Sequence, residues 1–344
     1  MQRCIELAQL GAGNVATNPL VGAVLVYEDK IIGEGFHEKY GEAHAEVNCM
    51  NSVAAENVAF IAKSILFVSL EPCTHFGKTP PCVDLILKHK IPHVVIGCSD
   101  SYEKVNGAGI KKLKAGGVKV DVGILEKECV KLNKHFFTFH TKKRPYFMLK
   151  WAQTNDGFIA AENGATIKIS NDFTNKYIHK LRAELAAILV GKNTVQKDNP
   201  TLTTRLWKGK NPIRIIVDSN LELSNDLNVF NEEATTIIIN KKMNETIGNI
   251  IFYKVAEGKT ITQAIIACLN EQRINAVIIE GGATTIQYFI DANLWDEAII
   301  ITNKNVEIKT GIPSPKIKNG ILLYSENIFA DKIDFYKQNN NEFL

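Results

Sequence analysis

The sequence has no stretch long and apolar enough to predict a membrane-spanning helix, and its first residues lack the apolar core and cleavage site of a secretory signal. No basic arm or tail is present, and 40 Lys and Arg residues nearly balance 37 Asp and Glu residues, for a formal charge of +3. An odd set of seven cysteines does not suit the paired disulfide framework of a small secreted domain. We therefore expect a soluble, cytoplasmic protein whose partners are neither membranes nor nucleic acids.

Internal repeats and low-complexity tracts are also lacking, yet 344 residues exceed what one hydrophobic core usually organises. Six of the seven cysteines and seven of the eight histidines precede residue 141, so composition changes there. The stretch 140–145 is polar, charged and closed by a proline, as a linker would be. We predict two domains, residues 1–143 and residues 144–344.

Both halves alternate strand-like and helix-like segments, which predicts α/β domains built on covered mixed sheets. In the first half the predicted strands are 21–27, 31–36, 65–70 and 93–97, and the predicted helices open near Ala43 and Pro81 and span 109–115. In the second half the predicted strands are 146–153, 186–190, 213–217, 236–239 and 276–279, and the predicted helices are 171–184 and 260–271.

Four residues of the first half have the spacing of a metal-dependent deaminase: His44 and Glu46, followed by Cys73 and Cys82. Zinc held by one imidazole and two thiolates keeps a fourth position open, and a neighbouring carboxylate can move the protons of a hydrolytic deamination. His44 would open one helix and Cys82, after two prolines, another, where the helix N-terminus favours thiolate. We predict His44, Cys73 and Cys82 as zinc ligands and Glu46 as the catalytic residue; the alternative is that Glu46 is only a helix-opening carboxylate.

The two cysteines are separated by eight residues, 74–81, where zinc deaminases of other substrates have the short C-x-x-C spacing. A segment tied to the metal at both ends must reach the mouth of the pocket. His75 and Lys78 are therefore candidates for binding an anionic substrate. The alternative for Lys78 is an ordinary solubilising charge.

The second half carries candidate phosphate contacts. Arg182 and Arg205 suit two-point binding of a phosphate, although an Arg on a helix face is more often a solvated charge. Gly281 and Gly282 follow an apolar strand and open a helix, where backbone N–H groups can approach a phosphate; the alternative is a tight turn. The G-x-G-x-x-G fingerprint is absent, which excludes a standard Rossmann dinucleotide site.

These residues together resemble a known family. Segments 18–22, 33–37, 44–47 and 71–82 look like the riboflavin-biosynthesis deaminase/reductase, and segments 150–157, 181–184, 191–205 and 280–285 are similar to its reductase half. The resemblance implies a cytidine-deaminase-like mixed-sheet domain followed by a dihydrofolate-reductase-like α/β domain. It also implies zinc-dependent deamination of a diaminohydroxypyrimidinone that bears a phosphoribosylamino group, followed by NADPH-dependent reduction of the ribosyl chain to ribityl.

The resemblance implies particular site residues. In the deaminase, Asn18 would hold the pyrimidine edge, and His75 with Lys78 the phosphate end. In the reductase, the implied substrate contacts are Lys150, Thr166, Arg182, Leu202, Arg205 and Glu280. The implied NADPH contacts are Ala152, Lys168, Thr194, Asp198, Ser219, Gly281, Gly282, Ala283 and Thr284, with Asp198 shared between the two ligands. The chain departs from the family at Lys168, commonly Trp, at Tyr102, where Asn is expected, and in a shortened segment 303–313.

Our hypothesis is a bifunctional enzyme with zinc and NADPH as cofactors, acting on a phosphorylated pyrimidine and forming a homo-oligomer. One alternative is a nucleic-acid or nucleoside deaminase fused to an unrelated domain, which would have the short cysteine spacing and a basic, aromatic substrate face. The other is a deaminase whose second domain senses NADPH without turnover, motivated by Lys168 and the shortened segment. Hydride transfer to the deaminated substrate distinguishes these hypotheses.

Overall fold

The computed structural model describes residues 1–15, 17–76, 80–100, 107–163, 167–341 and 343. The chain divides into two compact units: unit 1 comprises residues 1–143 together with Phe343, and unit 2 begins at residue 144. Each has its own sheet and its own apolar core.

No helix in the described part of the chain combines the length and the apolar character needed to cross a bilayer.

Unit 1 is built on a five-stranded sheet of order β2-β1-β3-β4-β5. Its strands are β1 (Gly22–Tyr27), β2 (Lys30–Phe36), β3 (Ile65–Leu70), β4 (His93–Cys98) and β5 (Lys119–Val122). Its helices are α1 (Gln2–Gln9), α2 (Ala45–Asn51), α3 (Cys82–Lys88), α4 (Ala108–Ala115), α5 (Glu126–Leu132) and α6 (Lys134–Lys142), with a 3₁₀ segment at Ala55–Lys63. Strand β1 is antiparallel to both neighbours, whereas β3, β4 and β5 are parallel.

The β1–β2 hairpin turns through Glu28 and Asp29, whose φ angles of 45° and 61° are both left-handed. Two such residues form the turn whose twist matches that of paired strands. The other connections run through helices, because parallel strands need a crossover. Helix α2 therefore follows β2, and helix α3 follows β3. This order places the first residues of both helices at one end of the sheet.

Unit 2 is built on a ten-stranded sheet of order β11-β12-β10-β9-β8-β13-β6-β14-β17-β16, with a separate ribbon of β7 and β15. The strands are β6 (Tyr146–Thr154), β7 (Phe158–Ala161), β8 (Ala187–Gly191), β9 (Ile213–Val217), β10 (Thr236–Asn240), β11 (Glu245–Ile247), β12 (Ile250–Lys254), β13 (Ala276–Ile279), β14 (Glu297–Asn303), β15 (Gly311–Pro313), β16 (Gly320–Ile328) and β17 (Asp331–Gln338). The helices are α7 (Asp172–Glu184), α8 (Lys192–Asp198), α9 (Ile261–Glu271) and α10 (Ala283–Asp291), with a 3₁₀ turn at Asn228–Phe230.

The central strands of unit 2 are parallel and buried on both faces. Along β6, Phe147 and Leu149 enter one apolar cluster, while Tyr146 and Met148 enter the other. Because successive strand residues point to opposite faces, a parallel sheet covered on both sides requires nearly continuous apolar runs. That requirement explains why the sequence predicted the central strands β6, β8, β9, β10 and β13.

The predicted α/β class is confirmed in both units. The strands predicted at 65–70, 213–217 and 276–279 have the observed bounds, and the predicted hairpin is present. The expected linker at 140–145 was wrong in its first part, because α6 continues to Lys142. Phe136 and Phe137 are buried on that helix, so packing overrides the polar character of its last turn.

Candidate active sites

Three potential metal ligands converge in unit 1 at the starts of two helices. His44 immediately precedes α2, Cys82 is the first residue of α3, and Cys73 lies on the loop after β3. The His44 Nδ1 atom lies 3.3 Å from the Cys82 Sγ atom and 3.5 Å from the Cys73 Sγ atom, and the three ligand atoms lie within 4.8 Å of one another. Tetrahedral zinc separates its nitrogen and sulfur ligands by about 3.5 Å, so these residues fit zinc.

One of the two thiol groups, that of Cys73, is already polarised for metal binding, whereas the hydrogen bond with Cys73 and burial raise the pKa of Cys82, against the thiolate expected at the start of α3. Hydrogen bonds from the Cys82 thiol and from the His44 ring hold the pKa of Cys73 well below its usual range. The backbone N–H of Cys82, at the start of α3, also points to the Cys73 Sγ atom at 3.4 Å. Thiolate is the ligand form of cysteine, so this arrangement favours metal capture.

Glu46 lies in the first turn of α2 and is 3% exposed. Burial raises the pKa of Glu46, the negative charge of Cys73 raises it further, and a hydrogen bond with Cys82 opposes both. The carboxyl group is therefore beside the ligands and shielded from bulk water. A carboxyl in such a place can accept and return a proton during a reaction.

Asn18 is linked to the ligand set through His37, which the sequence analysis did not identify as a site residue. The Nδ1 atom of His37 lies 3.0 Å from the Ala43 carbonyl oxygen and must donate to it, so Nε2 accepts from the Asn18 Nδ2 atom at 3.1 Å. The His37 and His44 rings meet edge to face, 5.4 Å apart. The amide nitrogen of Asn18 is thereby engaged, which leaves its oxygen as the acceptor for a ligand N–H.

Glu71 is a second buried residue whose role the sequence did not reveal. Its Oε1 atom accepts backbone hydrogen bonds from Gly109 and Ile110, and its Oε2 atom from Asp100 and Gly107, over 2.9–3.2 Å. The carboxylate thus joins the end of β3 to the first turn of α4. This contact holds the loop that carries Cys73 against the rest of the unit.

Two further residues of the deaminase half, His75 and Lys78, were predicted to bind the phosphate end of the substrate. His75 is exposed on the loop between Cys73 and Cys82. Lys78 and Tyr102 lie outside the described residues, as does Thr166 of the second half.

In unit 2 the structure brings Lys150, Arg182 and Glu280 together. The Arg182 Nε and Nη2 atoms donate to the two Glu280 carboxylate oxygens at 2.8 and 2.7 Å, and the Lys150 Nζ atom lies 3.7 Å from Oε2. The side chains of Arg182, Glu280 and Lys150 are 13%, 7% and 15% exposed. Burial opposes ionisation of Glu280, but the charges of Arg182 and Lys150 prevail and lower its pKa to about 2.

Sheet register explains this cluster. Strand β13 lies between β8 and β6, and its Ile279 pairs with Leu149 in parallel register. Glu280 directly follows β13 and Lys150 is the next residue of β6, so the two lie side by side at the carboxyl end of β13. Ligands of open α/β sheets bind at that end.

Arg205 and Leu202 lie on the loop after α8, next to this cluster. Leu202 adopts a left-handed φ of 55°, and the Arg205 Nη1 atom donates to the Thr201 hydroxyl at 3.1 Å. The Arg182 Nη1 atom donates to the Thr203 carbonyl oxygen at 3.4 Å, and His179 of α7 accepts from the Arg205 backbone N–H at 3.1 Å. Neither His179 nor Thr203 was identified from the sequence.

The glycines predicted for the cofactor lie where a side chain would not fit. A Cβ atom on Gly281 would be 2.6 Å from the Val190 Cα atom, and one on Gly282, whose φ is +34°, would be 3.3 Å from the Thr194 hydroxyl. The chain before α10 therefore passes directly over the end of β8, close to Thr194. This backbone cradle, which continues into Ala283 and Thr284, fits a nucleotide phosphate.

The other predicted cofactor residues are spread around this edge of the sheet. Ala152 lies on β6, Asp198 ends α8 and is exposed, and the Ser219 carbonyl oxygen after β9 accepts from the Lys241 backbone N–H at 2.9 Å. The exposed side chain of Lys168 pairs instead with Asp172, at the start of α7, at 3.1 Å.

Comparison with known proteins matches both units to characterised families. Residues 1–98 match the cytidine and deoxycytidylate deaminase zinc-binding region, and residues 145–303 match the RibD C-terminal domain. The chain is 40% identical over 306 residues to the riboflavin biosynthesis protein RibD of Aquifex aeolicus, covering 87% of this chain and 85% of that protein. It is 30% identical over 318 residues to RibD of Escherichia coli, with the same coverage of 87% and 85%.

A solved structure extends the similarity over nearly the whole chain. It is the Thermotoga maritima diaminohydroxyphosphoribosylaminopyrimidine deaminase/5-amino-6-(5-phosphoribosylamino)uracil reductase, 35% identical with a TM-score of 0.89, covering 98% of this chain and 97% of that one. Acinetobacter baumannii RibD is 28% identical with a TM-score of 0.88.

Proposed function

The chain belongs to the RibD family and is a deaminase and reductase of riboflavin biosynthesis, and on that premise we propose how its residues divide the two reactions. The deaminase domain is residues 1–143, which make up unit 1 apart from Phe343, and the reductase domain is residues 144–344, which contain unit 2. The deaminase acts on the diaminohydroxyphosphoribosylaminopyrimidine, and the reductase on the resulting 5-amino-6-(5-phosphoribosylamino)uracil. The observation that carries this assignment is the convergence of His44, Cys73 and Cys82 beside the buried carboxyl of Glu46.

In the deaminase, His44, Cys73 and Cys82 hold zinc, which supplies a Lewis acid that makes water nucleophilic at neutral pH. Glu46 takes a proton from the attacking water and delivers it to the departing amine, so that the ring C–NH₂ becomes C=O and ammonia leaves. Asn18 accepts a hydrogen bond from the pyrimidine edge, because His37 engages its amide nitrogen. His75 and Lys78, between the cysteines, receive the phosphate end of the substrate.

In the reductase, NADPH supplies the hydride. Lys150, Glu280 and Leu202 hold the ribosylaminouracil at the carboxyl end of the sheet, with Thr166 beside them, and Arg182 and Arg205 lie toward its phosphate. The cofactor lies along Ala152, Lys168, Thr194, Asp198, Ser219 and the cradle Gly281, Gly282, Ala283 and Thr284. The buried ion pairs support this assignment, since they order the cationic groups before any ligand binds.

The test uses the purified full chain. We expect ammonia release from the diamino substrate, and NADPH oxidation only with the deaminated product. Glu46→Gln should abolish the first activity and spare the second, because the zinc ligands and unit 2 remain intact. Glu56→Gln, an exposed carboxylate of the same unit, is the control and should retain both activities. Ammonia release by Glu46→Gln at the wild-type rate would contradict the role of Glu46.

The alternative of an NADPH-sensing second domain is not favoured, because the family match extends through a reductase domain over residues 145–303. A nucleic-acid deaminase is not favoured either, since its short cysteine spacing is absent from the chain. NADPH consumption that depends on Lys150 would exclude the sensor.

We also propose a cytoplasmic location, with no nucleic-acid or membrane partner, and a homo-oligomer. The seven unpaired cysteines support a reducing compartment. For the homo-oligomer, the support is β16, an edge strand of the large sheet whose residues 321–324 are 39–49% exposed although all four are large and apolar. Light scattering of the full chain tests it; a monomer at micromolar concentration would contradict it.

A further inference from the structure

His179 makes an unusual contact with a loop of the reductase unit. It lies on α7, is 5% exposed, and its Nδ1 atom is 3.1 Å from the Arg205 backbone nitrogen and 3.5 Å from the Leu206 backbone nitrogen. Because a backbone N–H can only donate, Nδ1 must carry the lone pair and the ring proton must be on Nε2. The ring is therefore a fixed acceptor for two successive amides.

Arg182 lies on the same face of α7, three residues later. Its Nη1 atom donates to the Thr203 carbonyl oxygen at 3.4 Å, while its other nitrogens engage Glu280. The helix thus holds segment 203–206 with one acceptor, His179, and one donor, Arg182. Both the position and the orientation of this segment are set relative to the Glu280 cluster.

The segment held in this way carries an exposed cation. Arg205 points its Nη1 atom to the Thr201 hydroxyl at 3.1 Å, which uses one of its five donors. The segment follows Leu202, whose left-handed backbone is costly for a side chain of its kind and persists only where surrounding contacts impose it. The His179 contacts with Arg205 and Leu206 hold the chain three and four residues after Leu202.

The electrostatic surroundings keep His179 in the accepting form. Burial lowers the pKa of His179 to about 4, and the charges of Arg182, Arg205 and Lys150 add to the effect, against the opposite influence of Glu280. At neutral pH the ring is uncharged, and Nδ1 remains free to accept.

We propose that His179 is a positioning residue of the reductase: its Nδ1 atom holds the backbone of Arg205 and Leu206 so that the Arg205 guanidinium meets the phosphate of the substrate. The inference rests on the reductase function proposed above. His179 itself touches neither the reacting carbon nor the cofactor in this role. Its effect is on substrate affinity rather than on hydride transfer.

Two variants separate this role from simple packing. His179→Leu keeps an apolar side chain of similar size but has no acceptor, and His179→Asn keeps an acceptor, Oδ1, at nearly the position of Nδ1. We expect His179→Leu to raise the reductase KM for the phosphorylated substrate roughly tenfold, as loss of a positioned hydrogen-bond pair would. Its kcat should change less than about threefold. His179→Asn should restore KM to within about threefold of wild type, and ammonia release should be unchanged in both variants.

Amide hydrogen exchange at Arg205 and Leu206 reports the contact without any substrate. Exchange should accelerate in His179→Leu and remain slow in His179→Asn. Unchanged exchange in His179→Leu would overturn the inference, and so would accelerated exchange with a wild-type KM. The third contradicting outcome is a His179→Asn variant that has native tryptophan fluorescence but the same KM and the same amide exchange rates as His179→Leu. The hydrogen-bond acceptor would then not be the basis of the role of His179.

The variant Arg205→Ala distinguishes failure of the proposed reductase assignment from failure of the role of His179. If Arg205→Ala leaves KM unchanged, the assignment of Arg205 to the phosphate is wrong, and the positioning role falls with it even where exchange shows His179 holding the loop. If Arg205→Ala raises KM but His179→Leu does not, the reductase assignment stands and only the role of His179 is overturned.

Discussion

Arg182 and Glu280, 98 residues apart in the chain, form a two-point ion pair with Nε–Oε1 and Nη2–Oε2 distances of 2.8 and 2.7 Å. The family resemblance implied that both are substrate contacts. In the structure they are partners, and Lys150 shares the same carboxylate. The Arg182 guanidinium is therefore already oriented and partly neutralised, and under the proposed assignment we expect Arg205 to contribute more of the phosphate affinity than Arg182.

Glu280→Gln removes the counter-charge of two buried cations. We expect at least a hundredfold loss of reductase kcat/KM, because Arg182 loses its oriented partner and Lys150 loses a nearby carboxylate. Deaminase activity should not change. Steady-state NADPH oxidation and ammonia release measure the two effects.

Glu184→Gln is the matched control for this change. Glu184 lies on the same helix as Arg182 but pairs with Lys180 at 3.8 Å through a side chain that is 37% exposed. Its reductase activity should stay within about twofold of wild type. Equal losses in the two variants would mean that the Arg182–Glu280 pair has no special role.

Glu71→Gln should destabilise unit 1, because the carboxylate accepts four backbone N–H groups, two on each oxygen. Whichever way a glutamine amide is turned, its NH₂ group faces two donors. We expect a loss of about 2 kcal/mol, which corresponds to a deaminase inactivation midpoint roughly 5–10 °C lower. The exposed control Glu56→Gln should keep the wild-type midpoint of thermal inactivation. In Glu71→Gln, the Gly107 and Gly109 backbone amides should also exchange hydrogen faster than in the wild type.

Metal removal should separate the two reactions. A chelator should remove about one zinc per chain and stop ammonia release while NADPH oxidation with the deaminated substrate continues. Cys82→Ala should have the same effect without a chelator, whereas Cys268→Ala, which removes a buried thiol of α9, should keep full zinc content. Zinc retained at full stoichiometry by Cys82→Ala would contradict the ligand assignment.

The free energy of unfolding of unit 2 should decrease at acidic pH, because burial of His179 opposes its protonation in the folded protein. Its pKa is lowered from 6.5 to about 4 in the folded protein, so between these values the unfolded chain binds more protons. The contribution of His179 is fully present above pH 6.5 and is lost as pH falls toward 4. All three tryptophans, Trp151, Trp207 and Trp295, belong to unit 2, so their fluorescence follows its unfolding. His179→Asn should show a flatter decline; an identical pH profile would contradict the assignment.

Much of the fold was predictable because its signals are local. The β1–β2 hairpin follows from two alternating runs around a short polar turn, and β9 and β13 follow from apolar runs that a doubly covered sheet requires. The last strands, β16 and β17, were not predicted. Residues 321–324 of β16 are substantially exposed, so only pairing with β17 makes this segment a strand.

The sequence by itself determined the chemistry of the metal site, because His44, Glu46, Cys73 and Cys82 have side chains and spacing that few other functions need, and prolines mark one of the two helix starts. Tertiary structure alone decided which polar groups meet. Because β13 lies between β8 and β6, Glu280 is close enough to form ion pairs with both Lys150 and Arg182. The folding of segment 203–206 onto α7 makes His179 an acceptor. Contacts between residues far apart in the chain depend on strand order and register, and no local pattern records them.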